Sequence, residues 1–226
     1  MKRLVLCFDG TWNSADSERA ETNVARIARA VRANSGPDGI QQITLYLRGV
    51  GSTGIALERL VGGALGKGVD DSIRSGYMFL AQNYVPGDQI FLFGFSRGAF
   101  TARSLTGFVS ACGLLKRQNL GDIVDAWNYY RKAKTRSPAD FCQRHDSDCH
   151  TDLTIAFLGV WDTVGALGIP GTLLNQLSAR QYEFHDTTPS RIVRVGRQAL
   201  AIEPPRVCRR LFCLSYAAMA GCSSEA

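Results

Sequence analysis

Histidine is scarce in this chain: His145, His150 and His185 are the only three in 226 residues. Chemistry that needs an imidazole base, or a histidine-rich metal centre, has few groups to draw on. No apolar stretch approaches the roughly 20 residues that a membrane-spanning helix requires. The N-terminal MKRLVLCFDG is basic then apolar, but its apolar run stops at Phe8, before Asp9. That is too short for the apolar region of a cleavable signal and reads as a buried strand. Runs of lysine and arginine never exceed two residues, so a net charge of +6 supplies no dedicated nucleic-acid surface. It suits weak attraction to anionic lipid or to phosphate-bearing substrates. The seven cysteines form an odd count without a signal peptide, which points to reduced thiols in a cytoplasmic setting. Cys142, His145, Cys149 and His150 are ligand types, but their crowding matches no standard zinc spacing. No metal and no cofactor is expected.

What remains is ordinary globular material: 45% hydrophobic and 20% charged residues, enough for one α/β domain with a real core. Arg3–Phe8, Gln42–Leu47, Gln89–Phe93 and 153–160 read as strands, apolar on both faces as in a parallel sheet covered by helices. Between them, Thr22–Val31, Val69–Asn83 and 99–113 carry helical periodicity, with Thr22 as an N-cap. A doubly wound, mostly parallel sheet follows. Residues 114–151 are polar and irregular, with a short helix expected over Ile123–Lys132, and read as an insertion or a cap. Residues 190–202 read as a helix with Val193, Val195 and Leu200. Residues 1–203 would be the domain and 204–226 a poorly ordered tail.

The centre of the pattern is DQIFLFGFSRGAFTAR, Asp88 to Arg103. A short β-forming run meets Gly94-Phe95-Ser96-Arg97-Gly98, and a helix follows. A serine at the apex of a sharp strand-to-helix turn is the context that makes G-x-S-x-G a nucleophile motif. The bland alternative makes Ser96 the helix N-cap in a nucleotide-binding turn. As a nucleophile, Ser96 needs a base and an acid that orients the base. Asp162 ends the next strand and suits the orienting carboxylate. His185 is the one histidine after it and the candidate base. Backbone N–H groups of Gly10, Thr11 and Arg97 are the candidate oxyanion donors. Asp9 sits at the end of the first strand, as an oxyanion-side residue or one that orders its turn. Right-handed crossovers would bring Asp9, Arg48, Ser96 and Asp162 to one rim of the sheet. Gly62 to Gly68 suggests a phosphate loop, but Lys67 is one residue too close to Gly62 and Gly68 replaces the required Ser or Thr. A flexible loop beside the substrate is expected there instead.

Five blocks occur in order: FDGTWN at Phe8–Asn13, TNVARIARA at Thr22–Ala30, GVGSTG at Gly49–Gly54, GDQIFLFGFSRGAFTARSL at Gly87–Leu105 and FLGVWDTVGALG at Phe157–Gly168. With YEFHDT at Tyr182–Thr187 and QALAIE at Gln198–Glu203, they resemble the α/β-hydrolase family that includes phospholipase effectors of bacterial type VI secretion. The resemblance implies an α/β-hydrolase fold, a serine esterase or phospholipase activity on lipid or other carboxylic esters, Ser96 as nucleophile and Asp162 as triad acid. It also implies membrane-surface contact, a secretion-system or immunity partner, no nucleic acid, and a cytoplasmic place or export without a cleavable signal. After Glu203 the sequence departs from the family, whose later block carries the expected histidine. A truncated or frameshifted product, its sheet incomplete at the C-terminal end and inactive for lack of that base, is therefore expected, and a non-catalytic interaction module is the alternative.

Overall fold

A computed structural model of the chain describes residues 1–10, 13–15, 21–32, 38–49, 64–132, 136–161, 163 and 191–199, with the side chains of 64–132 described from residue 68 onward. The elements are β1 (Arg3–Phe8), α1 (Asn23–Ala30), β2 (Gln42–Leu47), α2 (Ala64–Asn83), β3 (Gln89–Phe95), α3 (Arg97–Cys112), β4 (Leu114–Leu115), a 3-10 turn (Arg117–Asp122), α4 (Ile123–Lys132), α5 (Pro138–His145), β5 (Cys149–His150), β6 (Ile155–Trp161) and β7 (Gly196–Ala199). Five strands form one sheet in the order β2-β1-β3-β6-β7, with every pair parallel. This is an α/β fold with an α/β-hydrolase-like sheet.

Alternation along each strand assigns the two faces. Leu4, Leu6 and Phe8 of β1, with Ile90 and Leu92 of β3, pack under α2 and α3 against Ile73, Tyr77, Leu80, Leu105 and Phe108. Val5 and Cys7 face the other way, onto Val24 of α1, with Phe91, Phe93 and Phe95 around them. Helix α1 starts where expected: Thr22 Oγ1 accepts the Ala25 N–H at 3.1 Å, as an N-cap should. The chain leaves β1 for β2 over the α1 face and returns to β3 over the α2 face. The carboxyl ends of β1 and β3 therefore flank the point where the winding reverses, and a crevice opens there in sheets of this type.

Three expectations change. Residues 196–199 are strand, not helix: Val160 lies opposite Gln198, and the Leu158 N–H bonds the Val195 carbonyl at 2.9 Å. Helix α2 starts at Ala64, so Gly66, Lys67 and Gly68 are helical rather than part of a loop; residues 61–63 lie outside the described set. Residues 114–150 are not irregular, since they hold a 3-10 turn, two helices and the antiparallel β4–β5 pair. They pack on the far ends of α2 and α3, through Phe108 against Trp127 and Tyr130 and through Tyr77 Oη to the Gly113 carbonyl and the Leu115 N–H. Helix α3 has 16 residues, so it runs about 24 Å from its start at the strand ends. The segment follows the far end of α3, and Arg131 of α4 lies 3.9 Å from Asp70 of α2. Among the described residues no helix is long and apolar enough to cross a membrane.

At that same far end Asp88 fastens the starts of β1 and β3 together. Its side chain is 0% exposed and receives the Lys2 N–H at 2.8 Å, the Val85 N–H at 2.9 Å and the Lys2 ammonium. Burial raises its pKa, but the hydrogen bonds from Lys2 and Val85 and the Lys2 charge outweigh that and leave it below the ordinary value. The unfolded chain titrates near pH 3.9. The contribution is thus complete above about pH 4 and is lost as pH falls through the lower folded value. Asp88→Asn should cost about 2 kcal/mol at neutral pH. Urea midpoints of variant and wild type should converge as pH drops below about 4.

Candidate functional site

Ser96 lies between β3 and α3 with φ 54° and ψ −117°. A side chain in the positive-φ region is strained, at a cost on the order of 1–3 kcal/mol, and persists only where its surroundings over-determine it. The surroundings here are explicit. The Ser96 N–H bonds the Trp161 carbonyl at 2.9 Å, and its own carbonyl accepts the Ala99 and Phe100 N–H groups at 3.1 and 3.2 Å. Both neighbouring glycines are steric necessities. A Cβ on Gly94 would lie 2.6 Å from Ala99 Cα, and one on Gly98 would lie 2.6 Å from the Asp9 carbonyl oxygen. Strand, helix and β1 all crowd the turn, so the serine takes the strain.

The hydroxyl of Ser96 makes no cap hydrogen bond to the helix, and the residue is half-buried. This removes the N-cap explanation for the serine. Arg97 is the first residue of α3, where backbone N–H groups have no intrahelical acceptor and a helix end favours negative charge. Arg97 lines a pocket with Arg48, Asp9, Phe8 and Thr101. Burial lowers the pKa of Arg97 below the ordinary arginine value.

Across the crevice, the end of β1 is fixed by Asp9, 4% exposed. Its Oδ1 accepts the Gly10 N–H at 2.8 Å, and its Oδ2 accepts Thr22 Oγ1 at 2.9 Å and Tyr46 Oη at 2.6 Å. Gly10 sits against β3, since a Cβ there would lie 2.7 Å from Phe95 Cδ1. The structure thus brings Asp9, Gly10, Arg48, Ser96 and Arg97 to one rim. Thr11, Asp162 and His185 lie outside the described residues. Trp161, the residue before Asp162, is the one that holds the Ser96 N–H.

The other reactive groups are elsewhere or inert. Burial, and then the charge of Asp9, pushes the Cys7 thiol up to about 12, so it stays protonated. Cys112 and Cys149 are raised by burial too. His145 packs on Phe141 and His150 on Tyr84, both in the insertion at the far end of α3. Sequence reasoning did not find Tyr46 or Thr22 as partners of Asp9. Nor did it find Gln198, whose Oε1 accepts Arg103 Nη2 at 2.5 Å and ties α3 to β7. The only advance signal was the hydroxyl of Tyr46 and of Thr22 near a strand or helix end, and Gln198 gave none.

A parallel sheet whose third strand feeds a helix through a strained serine, beside the loop of the neighbouring strand, defines an α/β-hydrolase-like protein. The chain belongs to the family described as T6SS phospholipase effector Tle1-like, catalytic domain, whose model matches residues 2–213. That family is one of lipase-like hydrolases with a lipid substrate. The match runs past Glu203, where the sequence had suggested the family pattern ends. A Saccharomyces cerevisiae protein, "Uncharacterized protein YEL023C", is 29% identical over 227 residues, which is 91% of this chain and 31% of that protein. A crystal structure of an uncharacterized protein from Pseudomonas aeruginosa is similar with 20% identity and a TM-score of 0.36, covering 75% of this chain and 30% of that one. The chain therefore spans about a third of the length of these relatives.

Proposed function

We propose that this chain is the catalytic domain of a serine hydrolase that cleaves carboxylic esters of lipids. The observation that carries this reading is the strained backbone of Ser96 at a strand-to-helix turn squeezed by two glycines. Strain of this kind is retained where it serves chemistry. Ser96 Oγ attacks the acyl carbonyl and its proton passes to a histidine base, His185 in this chain, oriented by Asp162. The carbonyl oxygen becomes an oxyanion held by the Arg97 N–H and a donor from the β1 loop, Gly10 or Thr11. The alcohol leaves with the proton, the acyl group stays on Ser96, and water releases it. Arg48 and Arg97 both line the adjoining pocket, and two arginines there favour an ester that carries a phosphate, as a phospholipid does. Such a substrate brings the domain to a membrane surface.

A fluorophosphonate probe is the direct test. It should label the wild-type chain and leave Ser96→Ala unlabelled, while hydrolysis of a short-chain 4-nitrophenyl ester follows the same pattern. Labelling of both proteins to the same extent removes Ser96 from the reaction. Ester hydrolysis that survives His185→Ala unchanged places the base elsewhere.

A further inference from the structure

Asp9 is buried, charged and one residue away from the candidate oxyanion loop, yet nothing in the reaction above uses it. Its three hydrogen bonds come from three different parts of the fold: the loop itself through the Gly10 N–H, the cap of α1 through Thr22 and β2 through Tyr46. Loss of the Gly10 N–H would free Oδ1, whereas Oδ2 would keep one donor after loss of either hydroxyl. The Asn13 N–H bonds the Gly10 carbonyl at 2.9 Å, and the Asn13 carbonyl accepts the Gly49 N–H at 2.9 Å, so Gly10 and Asn13 are tied to each other and to the end of β2. Gly10 is pressed against Phe95, the residue before Ser96. An adjustment of Asp9 is therefore an adjustment of the turn relative to the serine.

We propose that Asp9 is a positioning residue: its carboxylate clamps the β1 turn against the Ser96 elbow and so sets where the second oxyanion donor stands. This rests on the serine-hydrolase reading. The Gly10 N–H is spent on Asp9 Oδ1, which leaves the Thr11 N–H as the other candidate donor. A carboxylate suits the clamp because it accepts on both sides at once. An asparagine accepts on one side only and turns an amide N–H₂ toward either Gly10 or the two hydroxyls.

The test is a comparison of wild type, Asp9→Asn and Tyr46→Phe with 4-nitrophenyl butyrate and with the fluorophosphonate. Removing an oxyanion donor outright costs roughly 10²–10³ in kcat. A loosened donor should cost less, so Asp9→Asn is expected to lower kcat and the labelling rate by about 10- to 100-fold. Tyr46→Phe, which removes one donor from Oδ2, should lower both by about 3- to 10-fold. KM should stay within about twofold in each, because the ground-state ester is not held by the oxyanion donors. A purely structural role would lower the melting temperature and leave kcat of the folded fraction alone. Wild-type kcat in folded Asp9→Asn overturns the proposal. If Asp9→Asn does not fold, wild-type kcat in Tyr46→Phe overturns it. Wild-type protein that takes no label overturns the hydrolase reading, and Asp9's role with it. Labelled wild type with unchanged variants overturns the role of Asp9 alone.

Discussion

Ser96→Gly is expected to lose ester turnover by roughly 10⁴-fold or more, as removal of a serine nucleophile does, and yet to unfold at a higher urea concentration than wild type. The two effects have one origin. At φ 54° the serine Cβ is strained against its own backbone, at a cost on the order of 1–3 kcal/mol, and glycine adopts that conformation freely. Glycine returns about 0.4–1 kcal/mol of this through the greater freedom of its unfolded chain. The net gain should be about 1 kcal/mol. Ser96→Ala separates the contributions, since it removes the hydroxyl and keeps the Cβ. It should be as inactive as the glycine variant and close to wild type in stability. A glycine variant less stable than the alanine one would mean that the turn is not strained, and the trade of stability for function at this position would fail.

Gly98→Ala should have the largest effect on folding, a loss of more than about 4 kcal/mol or no soluble folded protein. The new Cβ would meet the Asp9 carbonyl oxygen at 2.6 Å and the Phe8 carbonyl oxygen closer still. Those atoms are backbone at the end of β1, hydrogen-bonded between two strands, where the Asp9 N–H holds the Leu47 carbonyl at 3.0 Å. Neither can move without pulling the sheet apart. The helix would have to lift from β1, which would also carry Ser96 and the Arg97 N–H away from the loop opposite. Gly121→Ala is the control. Nothing lies within 4 Å of its added Cβ, and the change should stay within about 0.5 kcal/mol. Equal denaturation midpoints for the two variants would mean that α3 and β1 do not pack as closely as this.

How much of this was legible in advance depended on how local the cause was. The apolar run Arg3–Phe8, the helix of Ile73, Tyr77 and Leu80, and the turn at Ser96 are each written in a few consecutive residues, and each stands where expected. Strand β7 stands where a helix over 190–202 is expected, and the two-residue spacing of Val193 and Val195 just before it is the strand period. The pairing that makes it a strand comes from β6, about forty residues earlier in the chain, and no local window contains that partner.

The order of residues was enough to specify a parallel sheet, a serine at the bend after its central strand, and two glycines that let strand and helix meet. These follow from side-chain periodicity and from the absence of a Cβ, properties that a residue carries wherever it sits. That the Gly10 N–H is already engaged, that Asp9 faces Tyr46 and Thr22, and that Phe95 presses on the loop opposite are matters of three-dimensional packing. They join residues up to eighty-five positions apart, as Gly10 and Phe95 are. A carboxylate's partners are set by which chains the sheet brings within 3 Å of it, and that distance is fixed only when the strands have paired.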